Sequence, residues 1–195
     1  MTNSHVVAEC GRLTATDNEG IERETMIAAR DAKNDIALLR LLSPPLEVRL
    51  LTLRTPPDAR LGESIVVVGY PLFGGVSTLP SVTTGIVTNL VGLRDDTRGI
   101  QISAPVQQGN SGAPVLDGSG QIIAMVNSKL NALQVAQESG DIPQNVNFAI
   151  GAPLLARFLE RHLPVLPPRE LDRPLSVEQI VSHALPAVYL VTCYG

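Results

Sequence analysis

Several residue types are scarce or missing in this 195-residue chain. Tryptophan is absent and aromatic residues make up only 3%, which argues against the aromatic platforms on which single-stranded nucleic acids stack. Charged residues make up 17%, the formal net charge is −4, and no basic block stands out. No apolar run has membrane-spanning length, because the longest candidate, SIVVVGYPLFGGV, is interrupted by glycine and proline. We therefore expect neither a nucleic-acid partner nor a transmembrane segment.

Cysteine is equally rare. The chain has only Cys10 and Cys193, and neither belongs to a Cys-x-x-Cys pair, which excludes the usual zinc and thioredoxin-type motifs. Because the two lie far apart in sequence, free thiols are the default expectation. No cluster of His, Asp and Glu has metal-ligand spacing, and no phosphate-binding loop is recognisable, so no metal or other cofactor is expected.

The chain is instead rich in short apolar runs. Hydrophobic residues make up 44%, which indicates a folded protein with a substantial core. Runs rich in Val and Ile, bounded by Gly, Pro, Asn or Asp, predict many short strands and an all-β barrel or sandwich. The runs are DIALLRLL, VRLLTL, SIVVVGY, TTGIVTNL, GIQISAPV, APVLD, QIIAMVNS and NVNFAI.

The end of the chain has a different pattern. Residues 151–163 predict an amphipathic helix that packs on the domain. Residues 164–175 are rich in proline and predict an extended linker, and residues 176–195 predict a short helix followed by a strand. The apolar residues on one face of the first helix are Leu154, Leu155, Phe158, Leu159 and Leu163.

The stretch QQGNSGAPVLD places Ser111 in a glycine-flanked bend before an apolar run. The bend can be an ordinary turn, or it can present a nucleophile, which needs a base and a carboxylate that orients the base. His5 lies in a turn of small residues, TNSHVV. Asp35 is the best candidate carboxylate, because it directly precedes a buried run in KNDIALLRL; a simple Asx turn is the alternative. The order His, Asp, Ser is that of chymotrypsin-type barrels.

At these residues the chain resembles the trypsin-like serine peptidases of the HtrA (Deg) type. The matching segments occur in family order from residue 2 to about residue 160; they are TNSHVV, DAKNDIALLRL, GESIVVVGYPL, TTGIVTNL, IQISAPVQQGNSGAPVLD and NVNFAI. The resemblance implies a double six-stranded β-barrel in residues 1–163 and a serine endopeptidase activity on unfolded or extended polypeptides. It implies His5 as the general base, Asp35 as its orienting acid and Ser111 as the nucleophile.

The same resemblance assigns an oxyanion hole to the turn formed by Gly109, Asn110 and Ser111. Gly109 can adopt a conformation closed to other residues, so that its N–H and that of Ser111 converge on one point. Asn110 is neutral, whereas digestive enzymes of this fold carry an Asp that pairs with a freshly cut N-terminus. Activation by such a cut is therefore not implied.

The resemblance also suggests a specificity. Pro105 would lie at the base of the pocket for the side chain before the scissile bond, between Ala104 and Val106. No acid is present there, so small or medium apolar side chains are expected rather than Lys or Arg. The residues expected to line the substrate channel are Asn147, Phe148 and Ala149, although Phe148 can equally be a core residue.

The family carries two strands and a Gly-Ser-Gly-like segment before the catalytic histidine, and neither occurs here. We therefore expect an incomplete first barrel with exposed strand edges and His5 on a frayed chain end.

The tail IVSHALPAVYLVTCYG itself resembles the first strand of the family. It could fold back into the vacant position, exchange into a second copy to give a homo-oligomer, or begin a second peptidase unit. We favour the last interpretation, or a misplaced start codon; a returning tail would make a disulfide between Cys10 and Cys193 conceivable.

Two other functions compete with an active peptidase. The incomplete barrel is compatible with a catalytically impaired, protease-like peptide-binding module. An esterase with an α/β fold is disfavoured, because the triad order differs and GNSG lacks the Gly-x-Ser-x-Gly elbow. Members of the family are usually periplasmic or secreted, but MTNSHVVAEC contains no leader pattern, so the compartment is left open.

Overall fold

The computed structural model describes residues 1–54, 58–71, 79–107, 109–127, 145–163 and 173–195. Within these ranges the chain forms ten strands and two α-helices. The strands are β1 (Arg12–Thr16), β2 (Glu22–Asp31), β3 (Ile36–Leu41), β4 (Ser64–Gly69), β5 (Ser81–Asn89), β6 (Gly99–Ile102), β7 (Pro114–Leu116), β8 (Ile122–Val126), β9 (Asn147–Gly151) and β10 (Leu190–Tyr194). The helices are α1 (Ala152–His162) and α2 (Val177–Ala184), and short 3-10 segments lie at Ser4–Val7, Leu93–Asp95 and Leu185–Ala187.

Six strands close into an antiparallel barrel with the order β4-β5-β6-β9-β8-β7. All six coincide with Val- and Ile-rich runs, so these predicted strands are confirmed. Their inward side chains form one apolar core, and closure leaves none of the six with a free edge. The barrel therefore provides a rigid support for the loop before β7, which carries Ser111. Its fully buried core residues include Ile65, Val67, Val87, Ile102, Val115 and Ile123.

The other half of the molecule is an open four-stranded sheet with the order β10-β1-β2-β3. The described part of the chain thus has one closed barrel and one incomplete barrel, as the sequence predicts. The apolar runs do not predict β1 and β2. Charged residues interrupt β2, and Met26 and Ile27 are 49% and 36% exposed, so the strand lacks the apolar run that marks a buried one.

The C-terminal strand β10 folds back onto β1 of the same chain, with Leu13 opposite Cys193. This is the first of the three arrangements considered for the tail, not the favoured one. Cys10 and Cys193 form a disulfide across 183 positions, with their Cα atoms 5.2 Å apart, so the expectation of two free thiols is wrong. The predicted domain boundaries and exchange between two copies stay predictions, and residues 164–172 of the predicted linker lie outside the described residues.

The predicted amphipathic helix is confirmed as α1. Leu155, Phe158 and Leu159 are buried against Ile36 and Met125, and Leu154 and Leu163 pack at the margin of this cluster. Because Ile36 follows Asp35 directly, α1 and the barrel together anchor the strand that begins beside this carboxylate. A second helix, α2, is capped by the Ser176 side chain and packs Ile180 and Ala184 against β4.

The prediction of a strand in VRLLTL is wrong. Of these residues only Leu53 forms an isolated parallel bridge, to Ile122, and Val48 and Leu50 are 58% and 56% exposed. The segment follows Pro44 and Pro45, and proline is disfavoured within a ladder because it has no N–H to donate.

No helix in the described ranges combines the length and the apolar character that crossing a bilayer requires.

Candidate active site

The segment that carries His5 is firmly attached to the fold. Thr2 exchanges two backbone hydrogen bonds with Ala37, of 2.9 and 2.8 Å, and the exposure of Thr2, Asn3 and Ser4 is 2% or less. His5 lies in the 3-10 helix Ser4–Val7 that follows. The expected fraying of the chain around His5 is therefore wrong, because the pairing of Thr2 with β3 holds this segment in place.

Asp35 ends the turn between β2 and β3. Its φ is 56°, in the left-handed region that Asp tolerates better than most residues. The carboxylate that closes this turn belongs to Asp31, which accepts hydrogen bonds from the backbone N and the side-chain Nδ2 of Asn34, at 3.0 and 2.6 Å. The carboxylate of Asp35 points instead toward His5.

His5, Asp35 and Ser111 come together in a linear arrangement. Nδ1 of His5 lies 2.7 Å from Oδ2 of Asp35, and the backbone N–H of His5 donates to Oδ1 at 2.9 Å. On the other side of the ring, Nε2 of His5 lies 3.0 Å from Oγ of Ser111. With the proton on Nδ1, the ring donates to Asp35 and can accept the hydrogen bond of the Ser111 hydroxyl.

The bend around Ser111 requires glycine on both sides. The φ of Gly109 is 99° and that of Gly112 is 88°, values that side-chain-bearing residues rarely adopt. Asn110 is 4% exposed; its N–H donates to the carbonyl of Gln107 and its carbonyl accepts from the N–H of Ala113, both at 3.0 Å. The N–H of Asn110 is thus used to hold the turn.

A groove with a volume of about 1640 Å³ lies between the open sheet and the barrel. His5, Gly109 and Ser111 line part of it, and residues of the edge strands β3 and β10 line other parts. This volume exceeds the ~300–1,000 Å³ of ordinary small-molecule sites. The groove is therefore large enough for a segment of polypeptide.

The four predicted substrate-binding residues lie together on the barrel. Asn147 donates from Nδ2 to the carbonyl of Ala104 at 2.9 Å, which ties β9 to the segment before Pro105. Pro105 is exposed, whereas Phe148 and Ala149 are 4% and 2% exposed. Phe148 also lines a separate cavity of about 400 Å³ beside Asp35. None of the four is among the described residues that line the groove at Ser111.

Two contacts at the site could not be located from the sequence. A Cβ placed on Gly112 would lie 2.6 Å from Oγ1 and 3.0 Å from Cα of Thr2, so the histidine segment rests directly on the serine loop. Nδ2 of Asn3 donates to the carbonyl of Asp35 at 3.1 Å. The polar start of TNSHVV hints at such bonds, but the partners are remote in sequence.

Within the described ranges, no three His, Cys, Asp or Glu side chains gather as a metal site would require.

Comparison with known proteins identifies the family to which this chain belongs. Residues 1–125 match the family described as the trypsin-like peptidase domain. The chain belongs to this family. Over 166 residues it is 32% identical to "Serine protease HTRA1B" of Danio rerio, which covers 82% of this chain and 31% of that protein. It is 29% identical to "Serine protease Do-like HtrB" of Bacillus subtilis, over 100% of this chain and 42% of that protein. The HtrA-type resemblance is therefore confirmed.

Two further matches extend the comparison, one by sequence and one by structure. "Uncharacterized protein y4bJ" of Sinorhizobium fredii is 42% identical over 197 residues, which cover 99% of this chain and 30% of that protein. The crystal structure of the serine endoprotease from Yersinia pestis superposes with a TM-score of 0.66 at 20% identity, over 83% of this chain and 52% of that one, and supports the fold. The chain spans 30% to 42% of the length of the three relatives matched by sequence.

Proposed function

We propose that this chain is a serine endopeptidase that cleaves extended polypeptides through an acyl-enzyme. The observation that carries the proposal is the continuous contact from Asp35 through His5 to Ser111, with separations of 2.7 and 3.0 Å. These are the distances that proton transfer between a nucleophile, its base and an orienting acid requires.

In the proposed reaction, Oγ of Ser111 attacks the peptide carbonyl while Nε2 of His5 accepts the hydroxyl proton. Asp35 stabilises the imidazolium through the hydrogen bond at Nδ1. The C–N bond then breaks, and the amine leaves with the proton from His5. Water attacks the resulting ester, again with His5 as the base. The C–O bond to Ser111 then breaks, His5 returns the proton to Oγ, and the peptide leaves with a free carboxyl group.

The developing oxyanion would be held by the N–H groups of Gly109 and Ser111, which flank the turn. Asn110 supports this arrangement indirectly, because its own N–H is engaged with the carbonyl of Gln107 at 3.0 Å. In comparable hydrolases, the loss of one such donor lowers turnover by roughly 10²–10³-fold.

We further propose that small or medium apolar side chains are preferred before the scissile bond. The segment from Ala104 to Val106 is apolar and holds no acid that could pair with Lys or Arg. Its position is fixed by the hydrogen bond from Asn147 to the carbonyl of Ala104. An apolar pocket stabilises such side chains by burial.

The test is hydrolysis of an unstructured polypeptide and of peptide anilides that differ only in the residue before the cleaved bond. We expect cleavage after Ala or Val to exceed cleavage after Lys or Asp, and Ser111→Ala to abolish it. Ser64→Ala, which removes an exposed hydroxyl from β4, is the matched control and should remain active. Peptide binding without hydrolysis in every folded protein would instead support the non-catalytic peptide-binding module.

A further inference from the structure

Asn3 has a fully buried side-chain amide. It lies between Thr2, which is bridged to β3, and the 3-10 helix Ser4–Val7, which carries His5. Its exposure is 0%, and Nδ2 donates to the backbone carbonyl of Asp35 at 3.1 Å. Its other polar atom, Oδ1, has no hydrogen-bond partner among the described residues. An unpaired buried polar atom destabilises the folded state, so stability alone does not explain an amide at this position.

The residue that Asn3 contacts has a backbone conformation that needs support. Asp35 adopts a φ of 56°, in the left-handed region, which is less favourable than the usual regions even for Asp. This backbone determines where the carboxylate points. A shift of the Cα of Asp35 would displace its carboxylate relative to Nδ1 of His5.

The histidine segment therefore holds Asp35 at three atoms. Asn3 binds the carbonyl oxygen at 3.1 Å, the backbone N–H of His5 binds Oδ1 at 2.9 Å, and the His5 ring binds Oδ2 at 2.7 Å. The last two bonds act on the side chain, whereas the bond from Asn3 acts on the main chain. Of these three bonds, only the one from Asn3 restrains the main chain of Asp35, next to the Cα that carries the side chain.

We propose that Asn3 is a positioning residue, which fixes the backbone of Asp35 so that its carboxylate keeps His5 aligned with Ser111. The inference rests on the proposed function of His5, Asp35 and Ser111. Asn3 itself has no contact with the reacting atoms, so it acts on the rate of the chemical step and not on substrate binding.

The first test compares Asn3→Leu and Asn3→Ala with Thr14→Val. Thr14 is the matched control, because it is also 0% exposed, lies in the open sheet to which the neighbouring Thr2 is bridged, and has an unpaired Oγ1 among the described residues. For both Asn3 variants we expect kcat to fall by about 10- to 100-fold with little change in KM, as for misplaced catalytic groups generally. Thr14→Val should leave kcat unchanged.

The second test does not depend on activity. In the Ser111→Ala protein, proton NMR should show a separate downfield signal from the proton on Nδ1 of His5, since it is hydrogen-bonded to a carboxylate. The signal should weaken or vanish when Asn3→Leu or Asn3→Ala is added and persist when Thr14→Val is added. The chain with Ser111 intact could prove to hydrolyse nothing. Loss of the signal on adding an Asn3 substitution would then still uphold the positioning role, and only the proposed function would be overturned.

Three outcomes would overturn the role of Asn3. One is an unchanged kcat in both Asn3 variants of an active enzyme. Another is an unchanged Nδ1 proton signal. The third is unfolding of both Asn3 variants under conditions in which Thr14→Val stays folded, which would make Asn3 a purely structural residue.

Discussion

Nε2 of His5 lies 3.0 Å from Oγ of Ser111, although the two residues are 106 positions apart. Thr2 contacts the segments on both sides of this pair. Its backbone is paired with Ala37 on β3, and its side chain fits over Gly112 in the serine loop. One residue thus connects the segments that carry the histidine, the aspartate and the serine.

Gly112→Ala should therefore damage both activity and stability. The new Cβ would lie 2.6 Å from Oγ1 and 3.0 Å from Cα of Thr2, at a φ of +88°. We expect a loss of roughly 1–3 kcal/mol in the free energy of unfolding from overpacking and backbone strain. We also expect a fall in kcat, because His5 moves away from Ser111. Thermal unfolding and peptide hydrolysis measure the two effects.

Gly20→Ala is the matched control for this substitution. Gly20 has a similar φ of +83°, but a Cβ there would meet nothing within 4 Å. It should reproduce the backbone strain without the loss of activity. Equal activity in the two variants would show that the contact between Thr2 and Gly112 does not hold the site together.

The disulfide between Cys10 and Cys193 should stabilise the open sheet. It joins the edge strand β10 to the segment between His5 and β1, and Cys193 is exposed to solvent. Removing a native disulfide typically costs about 2–5 kcal/mol. A dithiol reductant should accordingly lower the melting temperature of the parent and leave that of the Cys10→Ser/Cys193→Ser variant unchanged. An equal effect of the reductant on both proteins would mean that the bond contributes nothing.

A buried ion cluster predicts how stability depends on pH. Glu63 is paired with Arg54 through contacts of 2.5 and 2.8 Å, and Arg54 also binds Asp117 at 2.9 Å. Burial alone would raise the pKa of Glu63, but the hydrogen bonds from Arg54 and the N–H of Arg60 outweigh it and hold the pKa at about 2. The folded-state pKa is thus depressed below the ordinary value of 4.5.

The stabilisation from Glu63 is therefore fully present above about pH 4.5 and is lost as the pH falls toward about 2. It amounts to roughly 3 kcal/mol, since each pKa unit corresponds to ~1.4 kcal/mol. Urea unfolding of the parent between about pH 6 and about pH 2.5 should show this decline, and Glu63→Gln should show a flatter profile from a lower starting value. Parallel profiles for the two proteins would contradict the assignment.

Much of the barrel could be predicted from the sequence, because its strands are buried on the inner face. The runs around Val67 and Ile123 are apolar enough to mark strands without any tertiary information. β2 could not be found in this way, since its side chains are mostly exposed. VRLLTL has the composition of a strand but finds only one bridging partner, so pairing and not composition decided its structure.

The candidate site likewise has some features that could be predicted from the sequence and others that could not. The order and local setting of His5, Asp35 and Ser111 are enough to identify them as candidates from the sequence alone. Their support by Asn3 and Gly112 depends on contacts between segments distant in sequence, which no local pattern records. The pairing of Cys10 with Cys193 likewise depends on the register of β10 against β1.

The most direct test of the account is to react the folded chain with a fluorophosphonate and to locate the adduct by mass spectrometry. We predict a single phosphonylated residue, Ser111, and labelling that is about 10³–10⁴-fold slower in Asp35→Asn, because the wrong tautomer of His5 is then favoured. Asp95→Asn, at an exposed Asp with a similar φ of 58°, should be labelled at the rate of the parent. A folded chain that is not labelled at Ser111, or is labelled equally fast in Asp35→Asn, would contradict the account.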